Sequence, residues 1–366
     1  MTDGIDILVV AGMINTKFLS KLLPLIKSDK VDKIYLVRRQ FISGDKIRCF
    51  SPKGIFRRNI LFAELYRLFA IICILTKYRP HVVIGMGLIL HGVYLNILGT
   101  LYRKKKILLL KGKNDLGLTY HDKKILQRIL LRIALLSDFV GTRGTRSRNW
   151  LIKKGFGRNK VFIPHNVFDF EQFTALSHRV KTYDMIYVGV LRHYKRIDLL
   201  IEVVYKLVVE NDLKNIQLAI VGEGKSRDKL RRKSARLKMN DHIHFLPGGD
   251  AKYVCSLLSQ SKIFVMTSQG EGLPMAMIEA MSCGLPVVIF DDADIPDVVH
   301  HGENGLLIKL GDLDGFVAAI KCLLEDNILY EKLSGGASAI RNERRHEYSL
   351  KQAKMTWDGV LASCIQ

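Results

Sequence analysis

The chain has 366 residues, 48% of them apolar, and 57 Lys+Arg against 35 Asp+Glu give it a formal net charge of +22. That length leaves room for two domains, each able to bury its own core. Six widely spaced cysteines (Cys49, Cys73, Cys255, Cys283, Cys322, Cys364) exclude a CxxC metal knuckle and a small disulfide scaffold, and read as apolar core residues of a reducing compartment.

At the N-terminus Asp3 and Asp6 precede the apolar run Ile7–Val10. A secretory signal needs a basic region there, so the run predicts a first strand instead. Further strands are predicted at Lys33–Val37, His81–Ile84, Ile107–Leu110, Phe139–Gly141 and Val161–Ile163, with helices between them at Arg58–Tyr78 and Lys123–Leu136. Pro80 to Tyr102 contains no charge and is long enough to cross a bilayer. Four glycines, His91 and Asn96 interrupt it, so a buried strand leading into a buried helix accounts for it better.

Residues 1–180 hold 33 Lys+Arg against 11 Asp+Glu, and the remaining residues 24 of each, so the whole excess charge lies in the first half. An acidic partner of that half is implied: a membrane surface, a phosphorylated acceptor or nucleic acid. Lys124, Arg128 and Arg132 fall on one side of the predicted helix 123–133, and Leu126, Ile129, Leu130 and Ile133 on the other. Such a helix can lie in a membrane interface, or pack its apolar face on the sheet and leave its cations in water. Near anionic lipid each cation contributes about 1 kcal/mol. Nucleic acid would call for aromatics among the cations; Leu and Ile stand there instead, and nucleic acid is not expected.

A polar stretch near residues 168–183 marks a boundary. The strand–helix alternation then resumes: strand Met185–Val188 to Gly189, helix Asp198–Val209, strand Leu218–Val221, helix Arg227–Leu237, strand Ile243–Leu246 and a helix near Lys252–Ser259. The apolar run Ile263–Met266 leads to Gly270-Glu271-Gly272-Leu273-Pro274. Pro274 suits the first turn of a helix that continues through Glu279 to Gly284. The strand Pro286–Phe290 follows, and helices near Leu313–Leu324 and Ser349–Ala362 close the chain. Alternation of this kind predicts α/β architecture with parallel, doubly wound sheets.

The strand, Gly-Glu-Gly turn, Pro-initiated helix, second glutamate and Pro-Val-Val strand together resemble the donor-binding signature of family-4 retaining glycosyltransferases. Val188-Gly189 with Lys195 is similar to that family's phosphate-binding turn, Gly222-Glu223-Gly224 to its second glycine loop, and Ile163 to Asp169 to the segment ending its first domain. The resemblance covers the second half closely and the first only in outline. It implies the GT-B fold, two doubly wound Rossmann-like domains facing across a cleft. The domains would be an acceptor-binding, membrane-facing basic domain (residues 1–170), a nucleotide-sugar-binding domain (171–348), and a last helix (349–366) crossing back to the first.

By the same resemblance Lys195 contacts the donor diphosphate, and Arg192 stands in for the arginine that the family has directly after its glycine, where this chain has Val190. Glu279 binds the ribose hydroxyls, since a carboxylate can accept two hydrogen bonds at once. Glu271 faces the donor sugar. Gly189, Gly222, Gly224, Gly272, Leu273 and Pro274 contribute backbone and shape. In the first half the family's His-Gly pair is replaced by Lys111 to Asp115, which makes Asp115 a candidate sugar or acceptor contact and Lys111 one for an anionic group; Asn166 joins them by resemblance. No cofactor or metal is expected, because helix-terminal amides and Lys195 suit a diphosphate directly. The partners implied are a nucleotide sugar (UDP by family frequency), a lipid-linked or anionic glycan, and an anionic membrane surface on the cytoplasmic side. An epimerase or phosphorylase on the same fold, or a non-catalytic binding protein, are the alternatives.

Overall fold

A computed structural model describes residues 4–12, 15–54, 56, 59–112, 115, 124–174 and 180–365. Asp3, Lys113, Asn114, Lys123 and the side chains of Lys17, Lys124 and Leu126 lie outside that description. The chain divides into two compact units, residues 1–168 with 346–366, and residues 169–345.

In the first unit seven parallel strands form one sheet: β1 (Ile5–Ala11), β2 (Val31–Val37), β3 (Ile47–Phe50), β4 (Val82–Met86), β5 (Lys105–Leu109), β6 (Phe139–Gly141) and β7 (Val161–Phe162), in the order β3-β2-β1-β4-β5-β6-β7. Their near-continuous Val/Ile/Leu runs follow from burial on both faces. In residues 80–102 the buried strand is found, since β4 is buried throughout. A π-helical turn (Leu88–Gly92) follows, and then a nine-residue helix (Val93–Leu101) that is only partly buried, Leu95, Asn96 and Gly99 facing inward while Ile97 and Leu101 are exposed. No helix among the described residues is long and apolar enough to cross a membrane.

The C-terminal helix, Leu350–Ile365, completes this unit's core. Trp357, Val360, Leu361 and Cys364 pack with Ile5, Phe18 and Leu22, and the Trp357 indole meets Phe162 edge-on at 5.5 Å. Lys354 pairs with Asp29, and Ser28 donates to Asp358. The amphipathic reading of residues 123–133 holds only in part. Of the predicted apolar side, Leu130 is buried and Ile133 partly buried on the neighbouring core, but Ile129 is exposed.

The second unit repeats the plan with six parallel strands: β8 (Tyr183–Val188), β9 (Leu218–Val221), β10 (Ile243–Leu246), β11 (Ser261–Met266), β12 (Val287–Phe290) and β13 (Gly305–Ile308), ordered β10-β9-β8-β11-β12-β13. Both sheets are therefore doubly wound. Their strand order reverses between β1 and β4 in one unit and between β8 and β11 in the other. In open parallel sheets such switch points open a crevice at the carboxyl ends of the strands, where ligands bind. Several elements went unpredicted, namely β3, β13 and the helices Asn15–Ile26, Thr145–Lys153 and Asn327–Arg344, and two of them show how weak the local signal can be. β3 is four residues with a central arginine, and the helix Asn327–Arg344 runs through Gly335-Gly336. Cys322 departs from the core reading of the cysteines, being exposed, while Cys255, Cys283 and Cys364 are buried.

Candidate active site

The second unit's switch point lies between the loop after β8 and the loop after β11. The first loop turns at Gly189 and runs through a short 3-10 turn, His193–Lys195. Arg196 ends that turn in the left-handed region at φ 46°, and the helix Ile197–Tyr205 begins. Close backbone approach shapes this loop and its neighbour after β9. A Cβ on Gly222 would stand 2.0 Å from the Gly189 carbonyl oxygen, and one on Gly224 2.2 Å from that of Leu191. Only residues without a Cβ allow the two turns to touch. The contact is tied by Leu191 N–H donating to Glu223 O (2.9 Å) and Ser226 N–H to Leu191 O (3.0 Å).

The loop after β11 turns at Gly270, whose φ of 76° favours glycine. The carboxylate of Asp292, beyond β12, accepts from both the Gly270 and the Ala293 N–H. Asp292 is buried and supports the turn; nothing in local pattern distinguished it from Asp291, so sequence reading missed it. Pro274 then occupies the N-cap of the helix Met275–Ser282. The first turn of any α-helix leaves amides without intrahelical acceptors and carries the positive end of the macrodipole. The two loops are joined through Gln269 N–H to Tyr194 O (3.2 Å) and Thr267 Oγ1 to Arg196 O (2.8 Å).

At their meeting the Lys195 ammonium forms an ion pair with Oε1 of Glu271, both side chains largely shielded from water. Oε2 of Glu271 is buried with no hydrogen-bond partner among the described residues. A buried acceptor left unpaired is costly, so this oxygen is set for a donor supplied from outside. Tyr187 and Tyr194 border the pair. Burial, then the Glu271 charge, holds both phenols above their ordinary range, so they remain neutral donors. Glu279 stands half-buried in the same helix. Arg192 is not part of this ion pair: its exposed side chain lines a separate pocket beside His193, Ile197 and Ser226.

The first unit places its own polar residues at the carboxyl end of its sheet. The Lys111 N–H donates to the Asp115 carboxylate, and a Cβ on Gly87 would lie 3.0 Å from Lys111 Nζ and 3.6 Å from Asp115 Oδ1. Burial raises the Asp115 carboxyl above its usual range, opposed by Lys111. Arg143 donates to Asn166 Oδ1 at 3.2 Å. The ring of His91 sits against Gly12 and hydrogen-bonds the Met86 carbonyl at 3.3 Å; burial, with Arg67 and Lys111 nearby, pushes its pKa down to about 4.

Residues 169–339 match the model of the family described as glycosyl transferases group 1. An uncharacterized glycosyltransferase of Haemophilus influenzae is 31% identical over 175 residues, which is 48% of this chain and 47% of that protein. The N-acetyl-alpha-D-glucosaminyl L-malate synthase of Bacillus anthracis is 28% identical over 178 residues, 48% of this chain and 45% of that one. The chain thus spans about half the length of the curated relatives it matches. Among solved structures, Anabaena Alr3699/HepE in complex with UDP-glucose aligns over 98% of this chain and 100% of its own at a TM-score of 0.75 and 17% identity. The fold is that of the GT-B glycosyltransferases.

Proposed function

We propose that this chain, whose residues 169–339 match the glycosyl transferases group 1 model, is a retaining glycosyltransferase using a nucleotide-sugar donor. The observation that carries this reading is the Lys195–Glu271 ion pair at the second unit's switch point, beside a helix start and two interlocked glycine turns. The donor diphosphate takes the helix-terminal amides and Lys195, which balance the charge that grows on it as the glycosidic bond breaks. Oε2 of Glu271 accepts from a hydroxyl of the donor sugar, and Glu279 from the ribose. The acceptor hydroxyl attacks the anomeric carbon from the face the phosphate leaves. Its proton passes to that departing phosphate oxygen, so configuration is kept. Lys195 and the helix dipole supply the positive charge without a metal ion, and Asp115 and Lys111 serve the acceptor side.

UDP is the nucleotide we propose, in line with the UDP-glucose complex of the HepE structure. The acceptor we propose is a lipid-linked or otherwise anionic glycan, met at the cytoplasmic face of a membrane. The helix Ile60–Lys77 in the first unit supports the membrane part. It buries Arg67, paired with the partly exposed Glu64, while exposing Leu61, Leu65 and Phe69 along one face, with Ile60 beside them. The helix also buries Ala70, Ile71, Ile74 and Leu75 in the core, so it carries apolar side chains on both its inner and outer sides, which fits an apolar medium on the outer one. The first unit's excess of cations fits anionic headgroups there.

A thermal-shift panel of nucleotide sugars, followed by turnover with the stabilising donor, tests the reading. Stabilisation by UDP-sugars and transfer that requires an acceptor hydroxyl are expected. Turnover without acceptor would make the protein an epimerase, and dependence on inorganic phosphate a phosphorylase; either overturns the reading.

A further inference from the structure

The second unit is almost neutral, yet its cations are not spread evenly. Residues 225–238 hold eight Lys or Arg against the single Asp228. Most of them fall on the helix Arg227–Arg236, which buries only Leu230 and Ser234. Lys229, Arg232, Lys233 and Arg236 stand at i, i+3, i+4 and i+7, which is one continuous face of a helix.

That face lines a pocket of about 400 Å³, floored by Ile197 and Leu230, with Arg192 at the other wall. Lys233 is held in place by the Glu202 carboxylate and by the Asp198 carbonyl at 2.8 Å. Asp198, the one carboxylate lining the pocket, is already paired with Arg196 at 3.2 Å. Arg192, Lys229, Arg232 and Arg236 make no side-chain hydrogen bond or ion pair among the described residues. Four uncompensated cations around one pocket repel one another, and the arrangement is relieved by an anion.

We propose that this groove is a binding track for a polyanionic chain bearing repeated phosphate groups. Its length argues for a chain over a single ion. The cationic face runs from Lys229 to Arg236, and at about 1.5 Å rise per residue that is roughly 10 Å, room for more than one phosphate. No Phe, Tyr or Trp lines it, so it offers backbone charge recognition without a platform for stacked bases. A phosphodiester glycan and free inorganic polyphosphate share this chemistry. Neither Lys195 nor Glu271 lines the groove, so its occupancy is tested separately from the donor assignment.

The test measures binding of tripolyphosphate, long-chain polyphosphate and a phosphodiester polyol polymer to the full chain by calorimetry across a salt series. The double variant Arg232→Glu/Arg236→Glu is compared with wild type and with a charge-matched control on the first unit, Lys53→Glu/Lys77→Glu. Both variants are checked for unchanged melting and unchanged UDP affinity. The groove variant is expected to lose at least about tenfold in affinity for the longer chains and to flatten the salt slope by about one and a half. Preference for the polyol polymer assigns the track to a glycan, and equal binding of polyphosphate to the free anion. Wild-type affinity in the groove variant, an equal loss in the control, or tighter binding of single-stranded nucleic acid than of polyphosphate would each overturn the proposal.

Discussion

The ammonium of Lys195 is ion-paired with the carboxylate of Glu271, so the loop after β8 and the loop after β11 are locked together at the point where the strand order reverses. A charged pair largely withdrawn from water is worth little as pure stability, but breaking one side leaves the other uncompensated. In a site for a diphosphate and a sugar, each partner has a separate use once the donor is bound.

Lys195→Ala and Glu279→Ala are expected to weaken UDP binding by about tenfold or more each, the scale of one lost charge-assisted hydrogen bond. Calorimetry on folded variants measures this. Unchanged affinity in both would remove the assignment of this loop pair as the donor site.

Glu271→Gln keeps the shape and loses the charge. UDP affinity is expected to change little or to rise, since Lys195 is released, while kcat falls by about a hundredfold because contact with the donor sugar is degraded. Equal loss in UDP affinity and kcat would point to a purely structural role.

The glycine turns give a paired stability test. Gly222→Ala meets the Gly189 carbonyl oxygen and is held at φ 141°, so a loss of at least about 2 kcal/mol is expected in chemical denaturation. Gly335→Ala has nothing within 4 Å of the new Cβ and lies inside a helix, so a gain of about 0.5–1 kcal/mol is expected.

His91 sets a pH dependence. Its folded pKa, pushed down to about 4 by burial and then by Arg67 and Lys111, lies below the ordinary value of 6.5. Between these values the unfolded chain binds a proton that the native state refuses, so stability rises with pH there. The contribution, roughly 3 kcal/mol, is fully present above about pH 6.5 and is lost as pH falls toward about 4. His91→Gln should flatten the unfolding free energy across that window relative to wild type; parallel curves would exclude His91 as the cause.

Liposome sedimentation addresses the exposed apolar face of the helix Ile60–Lys77. Binding is expected to rise with anionic lipid and fall with salt. Leu65→Glu/Phe69→Glu should reduce it several-fold without lowering the melting temperature, because both side chains are exposed. Binding that ignores lipid charge, salt and these substitutions would remove this face as the contact.

Much of this protein could be read from its residue order. The alternation of apolar runs with helical stretches, the glycines at strand ends, and Pro274 at a helix start are local signals, since each depends on torsion preference or on a short periodicity. They indicated doubly wound parallel sheets, and the family resemblance carried by the same segments named Lys195 and Glu271. What residue order could not decide involves residues distant in the chain that the strand order brings together. Asp292 supports Gly270 only because β12 lies beside β11. Arg192 lines a cationic groove with Lys229, Arg232 and Arg236 only because the helix after β9 packs beside the helix after β8. The helix Ile60–Lys77 buries Ala70, Ile71, Ile74 and Leu75 in the core but leaves Leu61, Leu65 and Phe69 exposed and buries Arg67, a division that no apolar periodicity announces, because burial is set by what packs against a helix.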